Sequence, residues 1–258
     1  MEKRSVTLWV KLVQRVFRRF QNAQGPKIED PLPPQRCCAN AVLLRGMASA
    51  PDDQTFQELE SRLPELGVKV TRFSYKGIQF PDYSPDDTIA DMRRLVQSLD
   101  HYIRLADSDL PLYLFGHSMG GLIVANWICR SDAPPDHAPL LERIGAVFLF
   151  ASPLFPPSPF ILIPEGLPSE FAGLAYTLAP YPYDITSILE RMPRIVVLLC
   201  ESGKDPIAPT QYASLKGRDG SSPLLELEIP GANHLDICNQ PMSVRAVVDF
   251  IEKYKTIR

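Results

Sequence analysis

The sequence lacks three features that would each indicate a particular class of protein: a long hydrophobic run, a large charge of one sign and a cysteine framework. No stretch reaches the roughly 18 to 20 uninterrupted apolar residues that a membrane-spanning helix needs, and charges interrupt the apolar positions near the N-terminus. The formal net charge is only −3, which gives no electrostatic reason to expect nucleic acid or another strongly charged partner. We therefore expect a cytoplasmic protein that binds no nucleic acid.

Cysteines are few and odd in number, and none stands in a CxxC or Cys/His metal-ligand spacing. They are Cys37, Cys38, Cys129, Cys200 and Cys238. Three of them lie in or beside apolar stretches, as is typical of buried free thiols in a reducing compartment. We expect no metal ion and no other cofactor.

Residues 5–21 predict a basic amphipathic helix, with apolar side chains at helical spacing on one face and cationic side chains on the other. The apolar face holds Val6, Trp9, Val10, Val13, Val16, Phe17 and Phe20, and the basic face holds Lys11, Arg15, Arg18 and Arg19. A proline-rich run at residues 25–34 predicts an extended linker, so residues 1–36 precede a catalytic domain at 37–258. Three roles fit the helix: covering the domain's own core, which we favour, peripheral contact with an anionic membrane, or targeting to an organelle.

Short apolar runs alternate with helical patterns along the rest of the chain. The predicted strands are residues 41–44, 68–75, 112–115, 146–150, 195–200 and 224–229. Their continuous apolar character is typical of strands covered by helices on both faces. The alternation of strands and helices predicts an α/β fold with a mostly parallel sheet.

Helix boundary signals support this interpretation. Asp52 and Asp53 precede the helical pattern at residues 56–66, and Gly67 is expected to end that helix. A capping-box pattern at residues 84–87 precedes the next helical pattern, which runs to Ile103.

The strongest chemical signal is the motif Gly116-His117-Ser118-Met119-Gly120-Gly121, which has the form Gly-x-Ser-x-Gly. It follows a predicted strand and precedes a helical run at residues 122–129. A sharp strand-to-helix turn strains the serine backbone and aims the hydroxyl outward, so the flanking residues must be tiny. The helix N-terminus also favours negative charge that develops near the serine. We therefore predict that Ser118 is a nucleophile.

A serine nucleophile needs a general base within hydrogen-bonding reach. Of the four histidines, His101 lies in a helical pattern, His117 is the variable position of the motif and His137 lies in a polar, proline-rich connection at residues 131–139. His234 remains, in a loop directly after the last predicted strand. We predict that His234 is the base.

The base in turn needs an acid that holds its tautomer, placed between the serine and the histidine in chain order and at the end of a strand. Asp205 meets both conditions, because it follows the predicted strand at residues 195–200. Asp184 and Glu201 compete with it. Asp184 lies in the connection that is interpreted below as a cap, and Glu201 would end the strand itself, too early to turn toward the histidine.

Three motifs together resemble those of the α/β-hydrolase superfamily, particularly its monoacylglycerol lipase-like and carboxylesterase-like members. They are the serine motif, Gly203-Lys204-Asp205-Pro206-Ile207-Ala208-Pro209 and Asn233-His234. The resemblance covers about residues 40–255 and implies an α/β-hydrolase fold with an oxyanion hole formed by the backbone N–H groups of Met47 and Met119. The chain departs from the family in one place, because it has Arg45-Gly46 where His-Gly is common.

The resemblance also implies a short cap between the sixth and seventh strands of the family fold, here about residues 153–190. This stretch is apolar and contains neither lysine nor arginine, so it cannot clamp a carboxylate or phosphate by charge. We expect about half of its apolar side chains to pack on the domain. The expected substrate contacts are Phe155, Phe160, Phe171 and Tyr176.

These observations predict a serine esterase or lipase-like enzyme that cleaves a small neutral ester with an acyl or aromatic portion through an acyl-enzyme on Ser118. We expect a monomer or a weak homodimer. Three alternatives remain open: a thioesterase or acyltransferase that uses the same triad, a hydrolase-fold receptor that binds a ligand without turnover, and an interaction protein whose N-terminal helix engages a partner or membrane.

Overall fold

The computed structural model describes residues 37–46, 54–73, 85–155, 187–192, 194–205, 208–216 and 224–255, with the backbone alone at residues 85–92, Tyr212 and Lys255. The predicted helix at residues 5–21 and its linker therefore lie outside the described residues. So do Asp52, Asp53 and Ser84, which were predicted to cap helices.

Six strands of the described chain form one sheet in the order β2-β1-β3-β4-β5-β6, and every neighbouring pair is parallel. The strands are β1 (Ala39–Leu44), β2 (Val68–Arg72), β3 (Leu112–His117), β4 (Ile144–Phe150), β5 (Ile195–Cys200) and β6 (Leu224–Ile229). The predicted mostly parallel sheet is confirmed, and the predicted bounds of β5 and β6 match the observed ones. Because the strands are parallel, their carboxyl ends meet at one edge of the sheet.

The described helices are α1 (Gln57–Glu65), α2 (Pro85–Leu105), α3 (Met119–Cys129), α4 (His137–Glu142), α5 (Ile188–Arg191), α6 (Thr210–Ala213) and α7 (Pro241–Lys255), with a 3-10 turn at Ile237–Asn239. Helix α1 packs near α7, whereas α3 packs against α2 and α5. The strand order changes direction after β2, so right-handed crossovers place these two groups of helices on opposite faces of the sheet.

The core lies at the centre of the sheet, around β3, β4 and α3. All six residues of β3 and all eleven of α3 are buried, which explains why both read as continuous apolar runs rather than as amphipathic patterns. Phe115 stacks on Phe148 of the neighbouring strand, with ring centroids 4.4 Å apart. This buried layer forms a rigid support for the loop that joins β3 to α3.

Several boundaries differ from the sequence prediction: β1 begins at Ala39 rather than at residue 41, β3 ends at His117 rather than at residue 115, and β4 begins at Ile144 rather than at residue 146. Strand β2 ends at Arg72, whereas the predicted strand extended to residue 75. The predicted connection at residues 131–139 is also shorter, because α4 begins at His137 and buries that side chain. By contrast, Gly67 has φ 76° and stands one residue after Leu66, the C-cap of α1, as its predicted role as a helix terminator requires.

Every helix in the described parts of the chain is too short or too polar to cross a lipid bilayer. The buried thiols of Cys129, Cys200 and Cys238 are not disulfide-bonded, as the sequence predicted.

Candidate active site

Ser118 occupies the turn between β3 and α3, at the carboxyl edge of the sheet. Its backbone has φ 53° and ψ −123°, a conformation that costs a residue with a side chain of the order of 1–3 kcal/mol. The Ser118 N–H donates to the carbonyl of Phe150 at the end of β4 (3.0 Å). The strained turn is thereby held at the sheet, and it presents the serine side chain above the ends of the strands.

The glycines of the motif are required by close packing. A Cβ on Gly116 would collide with Gly121 across the turn, and a Cβ on Gly120 would collide with the carbonyl oxygen of Leu44 at the end of β1. A Cβ on Gly121 would collide with the side chain of Ser152. The turn therefore packs simultaneously against itself, the loop after β1 and the chain after β4.

His234 lies in the loop after β6 and contacts Ser118 directly. Its Nε2 is 2.9 Å from the Ser118 Oγ, and its Nδ1 is 2.9 Å from Oδ2 of Asp205. All three side chains are more than nine-tenths buried. The structure thus brings together the three residues that the sequence singled out, in the order acid, imidazole and hydroxyl.

Asp205 follows β5 and accepts hydrogen bonds through both of its carboxylate oxygens. The second oxygen, Oδ1, accepts the N–H of Ala208 at 2.8 Å. Burial by itself would raise the pKa of Asp205. The hydrogen bond and charge of His234, the Ala208 N–H and the Cys200 thiol outweigh burial and hold the pKa of this carboxyl below its usual range. Asp205 is therefore ionised at neutral pH, and it holds the proton of the imidazole on Nδ1.

The competing carboxylate Glu201 does not take this position. Glu201 accepts the N–H of Gly231 at 2.5 Å and pairs with Lys204 at 2.9 Å. It therefore braces the start of the His234 loop rather than contacting the imidazole. Asp184 lies outside the described residues.

The His234 loop has further support that the sequence analysis did not identify. Asn233 donates two hydrogen bonds to the carboxylate of Asp236. Its Nδ2 donates to Oδ2 at 2.6 Å, and its backbone N–H donates to Oδ1 at 2.9 Å. The His117 Nε2 lies 2.7 Å from the carbonyl oxygen of His234. The loop is thus held on both sides of the imidazole.

One of the two predicted oxyanion donors can be described. Met119 is the first residue of α3, and the first N–H groups of a helix have no acceptor within the helix. Met47 lies outside the described residues, but the preceding Gly46 is described. A Cβ on Gly46 would lie 3.1 Å from the Ser118 Cβ, so the loop after β1 passes against Ser118.

The predicted cap is described only at its two ends. Phe155 is half-buried and packs against the core, while Phe160, Phe171 and Tyr176 lie outside the described residues. At the other end, Ile188 and Leu189 are buried in α5, so these two residues belong to the domain core.

The remaining histidines lie away from the serine. His101 is exposed on α2, whereas His137 is buried and packs edge-on against Trp127, with ring centroids 4.6 Å apart. Among the described residues, no three His, Cys, Asp or Glu side chains are grouped so that they could hold a metal ion.

Three residues that touch the site were not predicted from the sequence: His117, Ser152 and Cys200. Ser152 packs under the turn and donates to the carbonyl of Gly116 at 3.3 Å or of Phe150 at 3.2 Å. Cys200 is the last residue of β5, and burial and the adjacent Asp205 raise the pKa of its thiol. The sequence offers a signal for two of these residues: Cys200 stands at a strand end, and His117 lies within the serine motif.

The comparisons with known proteins agree with this architecture. Residues 30–249 match the model of the alpha/beta hydrolase family. No protein in a curated set of sequences matches the chain significantly.

Several solved structures share the fold at low sequence identity. Est1E from Butyrivibrio proteoclasticus, also solved with ferulic acid bound, gives a TM-score of 0.57 at 15% identity, covering 86% of this chain and 89% of its own. The esterase domain of a Rhodothermus marinus protein gives a TM-score of 0.56 at 16% identity, and the match covers 87% of this chain and 91% of that one. RedJ, a thioesterase from the prodiginine biosynthetic pathway in Streptomyces coelicolor, gives a TM-score of 0.52 at 18% identity, and the match covers 90% of this chain and 96% of RedJ. Together with the family match, the parallel sheet and the serine turn at its edge, these likenesses lead to one conclusion: the chain belongs to the alpha/beta hydrolase family.

Proposed function

We propose that the protein is a serine hydrolase that cleaves a neutral carboxylic ester through an acyl-enzyme on Ser118. The observation that carries this proposal is the buried hydrogen-bonded chain from Asp205 through His234 to Ser118, with 2.9 Å at each link. A serine hydroxyl is a weak nucleophile unless a base removes its proton as it attacks. This arrangement provides the base and the group that orients it.

In the acylation step, the Ser118 Oγ attacks the ester carbonyl while its proton passes to the His234 Nε2. Asp205 stabilises the resulting imidazolium through the Nδ1–H, because its lowered pKa keeps it ionised. The imidazolium then returns the proton to the departing alcohol. In the deacylation step, water attacks the acyl-enzyme with His234 again as the base, and Ser118 is regenerated.

The negative charge on the carbonyl oxygen requires hydrogen-bond donors that are already in place. The Met119 N–H at the start of α3 supplies one, supported by the favourable end of the helix dipole. We propose the Met47 N–H as the second, because the adjacent Gly46 lies against Ser118. Removal of one such donor typically costs about 10² to 10³ in kcat.

Composition supports a neutral substrate. Residues 153–190 contain no lysine or arginine, and four of the six aromatic side chains there, Phe155, Phe160, Phe171 and Tyr176, suit an acyl or aromatic group. Ferulic acid, the ligand of the structural neighbour Est1E, is an aromatic acid. We propose that these four residues contact the substrate.

A thioester is the second candidate substrate, because the same residues would attack its carbonyl and the structural neighbour RedJ is a thioesterase. The two activities can be separated by comparing 4-nitrophenyl butyrate with the N-acetylcysteamine thioester of butyrate. A kcat/KM that is clearly higher for the oxygen ester supports the esterase, and the reverse supports the thioesterase.

The test of the proposed function combines turnover of short-chain nitrophenyl esters with covalent labelling by a fluorophosphonate. We expect Ser118→Ala and His234→Ala to abolish both, because triad residues act as a unit. Ser243→Ala, which alters another buried serine, and His101→Ala, on the surface, are the matched controls and should retain both.

Two results would contradict the proposal. One is retention of more than about a tenth of the wild-type rate by Ser118→Ala or His234→Ala. The other is labelling of Ser118 without repeated turnover of any ester or thioester, which would favour a ligand receptor instead.

A further inference from the structure

His117 directly precedes the nucleophile, and its side chain contacts the backbone of the base. Its ring is buried, with 5% exposed, and its Nε2 is 2.7 Å from the carbonyl oxygen of His234. A carbonyl oxygen accepts hydrogen bonds and cannot donate them, so Nε2 must carry a proton. His117 therefore donates a hydrogen bond from the serine turn to a residue 117 positions further along the chain.

The His117 ring also lies between the two loops that complete the site. On one side, its centroid is 5.0 Å from that of the His234 ring. On the other, a Cβ on Gly46 would lie 3.1 Å from the His117 Nδ1. The ring thus fills the space between the loop after β1 and the loop that carries the base.

This contact bears on catalysis because of where it acts. The bonds of Glu201 and Asp236 hold the loop at Gly231 and Asn233, whereas the His117 bond acts on the backbone of His234 itself. The Ser118 and His117 backbones are continuous, so a bond from the His117 ring fixes the distance between nucleophile and base. A displacement of about 1 Å between reacting groups can reduce a rate about 10²-fold.

We propose that His117 is a positioning residue that aligns His234 with Ser118 through its Nε2–H. The inference rests on the proposed function, since it assigns His117 a role in the same reaction. His117 does not touch the substrate and does not transfer a proton. Its contribution is the fixed position of the imidazole.

Paired substitutions separate this role from simple packing. His117→Gln places an amide N–H near the position of Nε2 and can still reach the carbonyl, whereas His117→Leu fills similar space without a donor. We expect His117→Leu to lower kcat about tenfold to a hundredfold with KM little changed, and to slow fluorophosphonate labelling by a similar factor. His117→Gln should recover most of both rates.

A matched control is His137→Leu, which removes another buried histidine that has no contact with the three site residues. It should change thermal stability without changing kcat. If His117→Leu fails to fold, His117→Asn replaces it, because its amide is too short to reach the His234 carbonyl. Equal rates for the Leu (or Asn) variant and the wild type would overturn the proposal, and so would failure of His117→Gln to recover activity.

A second measurement does not depend on turnover. Proton NMR of the full chain should show a downfield signal from the His234 Nδ1–H, which is hydrogen-bonded to Asp205. We expect this signal to broaden or disappear in His117→Leu and to persist in His117→Gln. A wild-type protein without turnover or labelling would refute the proposed function alone, while an unchanged signal in His117→Leu would refute the positioning role alone.

Discussion

Replacing Asp205 by asparagine tests how the acid acts, because the change preserves size and removes only the charge and one acceptor. In the native site, Oδ1 accepts the Ala208 N–H at 2.8 Å and Oδ2 accepts the His234 Nδ1–H at 2.9 Å. An amide has an oxygen at only one of these two positions and an NH2 group at the other, so it cannot accept a hydrogen bond at both.

The orientation of the new amide decides the outcome. If its oxygen keeps the Ala208 N–H, the NH2 group faces the His234 Nδ1 and favours the tautomer with the proton on Nε2. A protonated Nε2 cannot accept the proton of Ser118. We expect Asp205→Asn to lower kcat about 10⁴-fold, with a smaller effect on KM, because substrate binding does not require the proton transfer.

The measurement is steady-state hydrolysis of a nitrophenyl ester, with circular dichroism to verify that the variant is folded. Glu201→Gln is the matched control, since it makes the same change from carboxylate to amide. The Glu201 carboxylate also holds the His234 loop, by accepting the Gly231 N–H at 2.5 Å. Glutamine retains an acceptor for the Gly231 N–H, so its kcat should stay within about tenfold of the wild type.

Two results would refute this reasoning. A folded Asp205→Asn variant with a kcat within about tenfold of the wild type would mean that the carboxylate does not control the tautomer. A large loss in Glu201→Gln but not in Asp205→Asn would mean that the acid was assigned to the wrong residue.

Three further predictions concern stability and the N-terminal segment. Gly120→Ala should destabilise the fold by about 1–3 kcal/mol in urea titrations, because its methyl group would collide with the Leu44 carbonyl oxygen. Gly145→Ala is the control and should destabilise the fold less, because its methyl group would meet mainly the side chain of Tyr113. Burial and a neighbouring guanidinium lower the pKa of His137 below its ordinary 6.5, so the unfolded chain binds a proton first as the pH falls. The free energy of unfolding should therefore decrease as the pH is lowered from about 7 to about 5. The variant His137→Gln should show a weaker dependence of that free energy on pH. Deletion of residues 1–21 should lower the melting temperature or cause aggregation if they cover the domain, whereas full stability with lost binding to anionic vesicles would favour membrane contact.

The sequence predicted the elements whose signal is local. Strands β5 and β6 are apolar or alternating runs with clear boundaries, and their predicted limits match the structure. The serine turn was found because steric crowding at Gly116 and Gly120 requires glycine, and that requirement appears directly in the sequence. Chain order and a strand end selected Asp205, and elimination of the other histidines together with a position after the last strand selected His234.

Contacts between distant parts of the chain could not be predicted in this way. His117 occupies a position of the motif that any residue can fill, and only the fold places its ring against the His234 carbonyl. His137 follows prolines and acidic residues typical of a connection, yet α4 begins there and packs it on Trp127. In both cases tertiary packing determines the environment, and a single sequence carries no record of it.

The central claim is that Ser118 forms an acyl-enzyme during hydrolysis. It is tested most directly by acid quench of the protein during turnover of 4-nitrophenyl acetate, followed by peptide mass spectrometry. We predict one acetyl group per chain on the peptide that contains Ser118, formed as fast as the initial burst of nitrophenolate. Steady turnover with no acylated peptide, or with the acetyl group on another residue, would contradict the account.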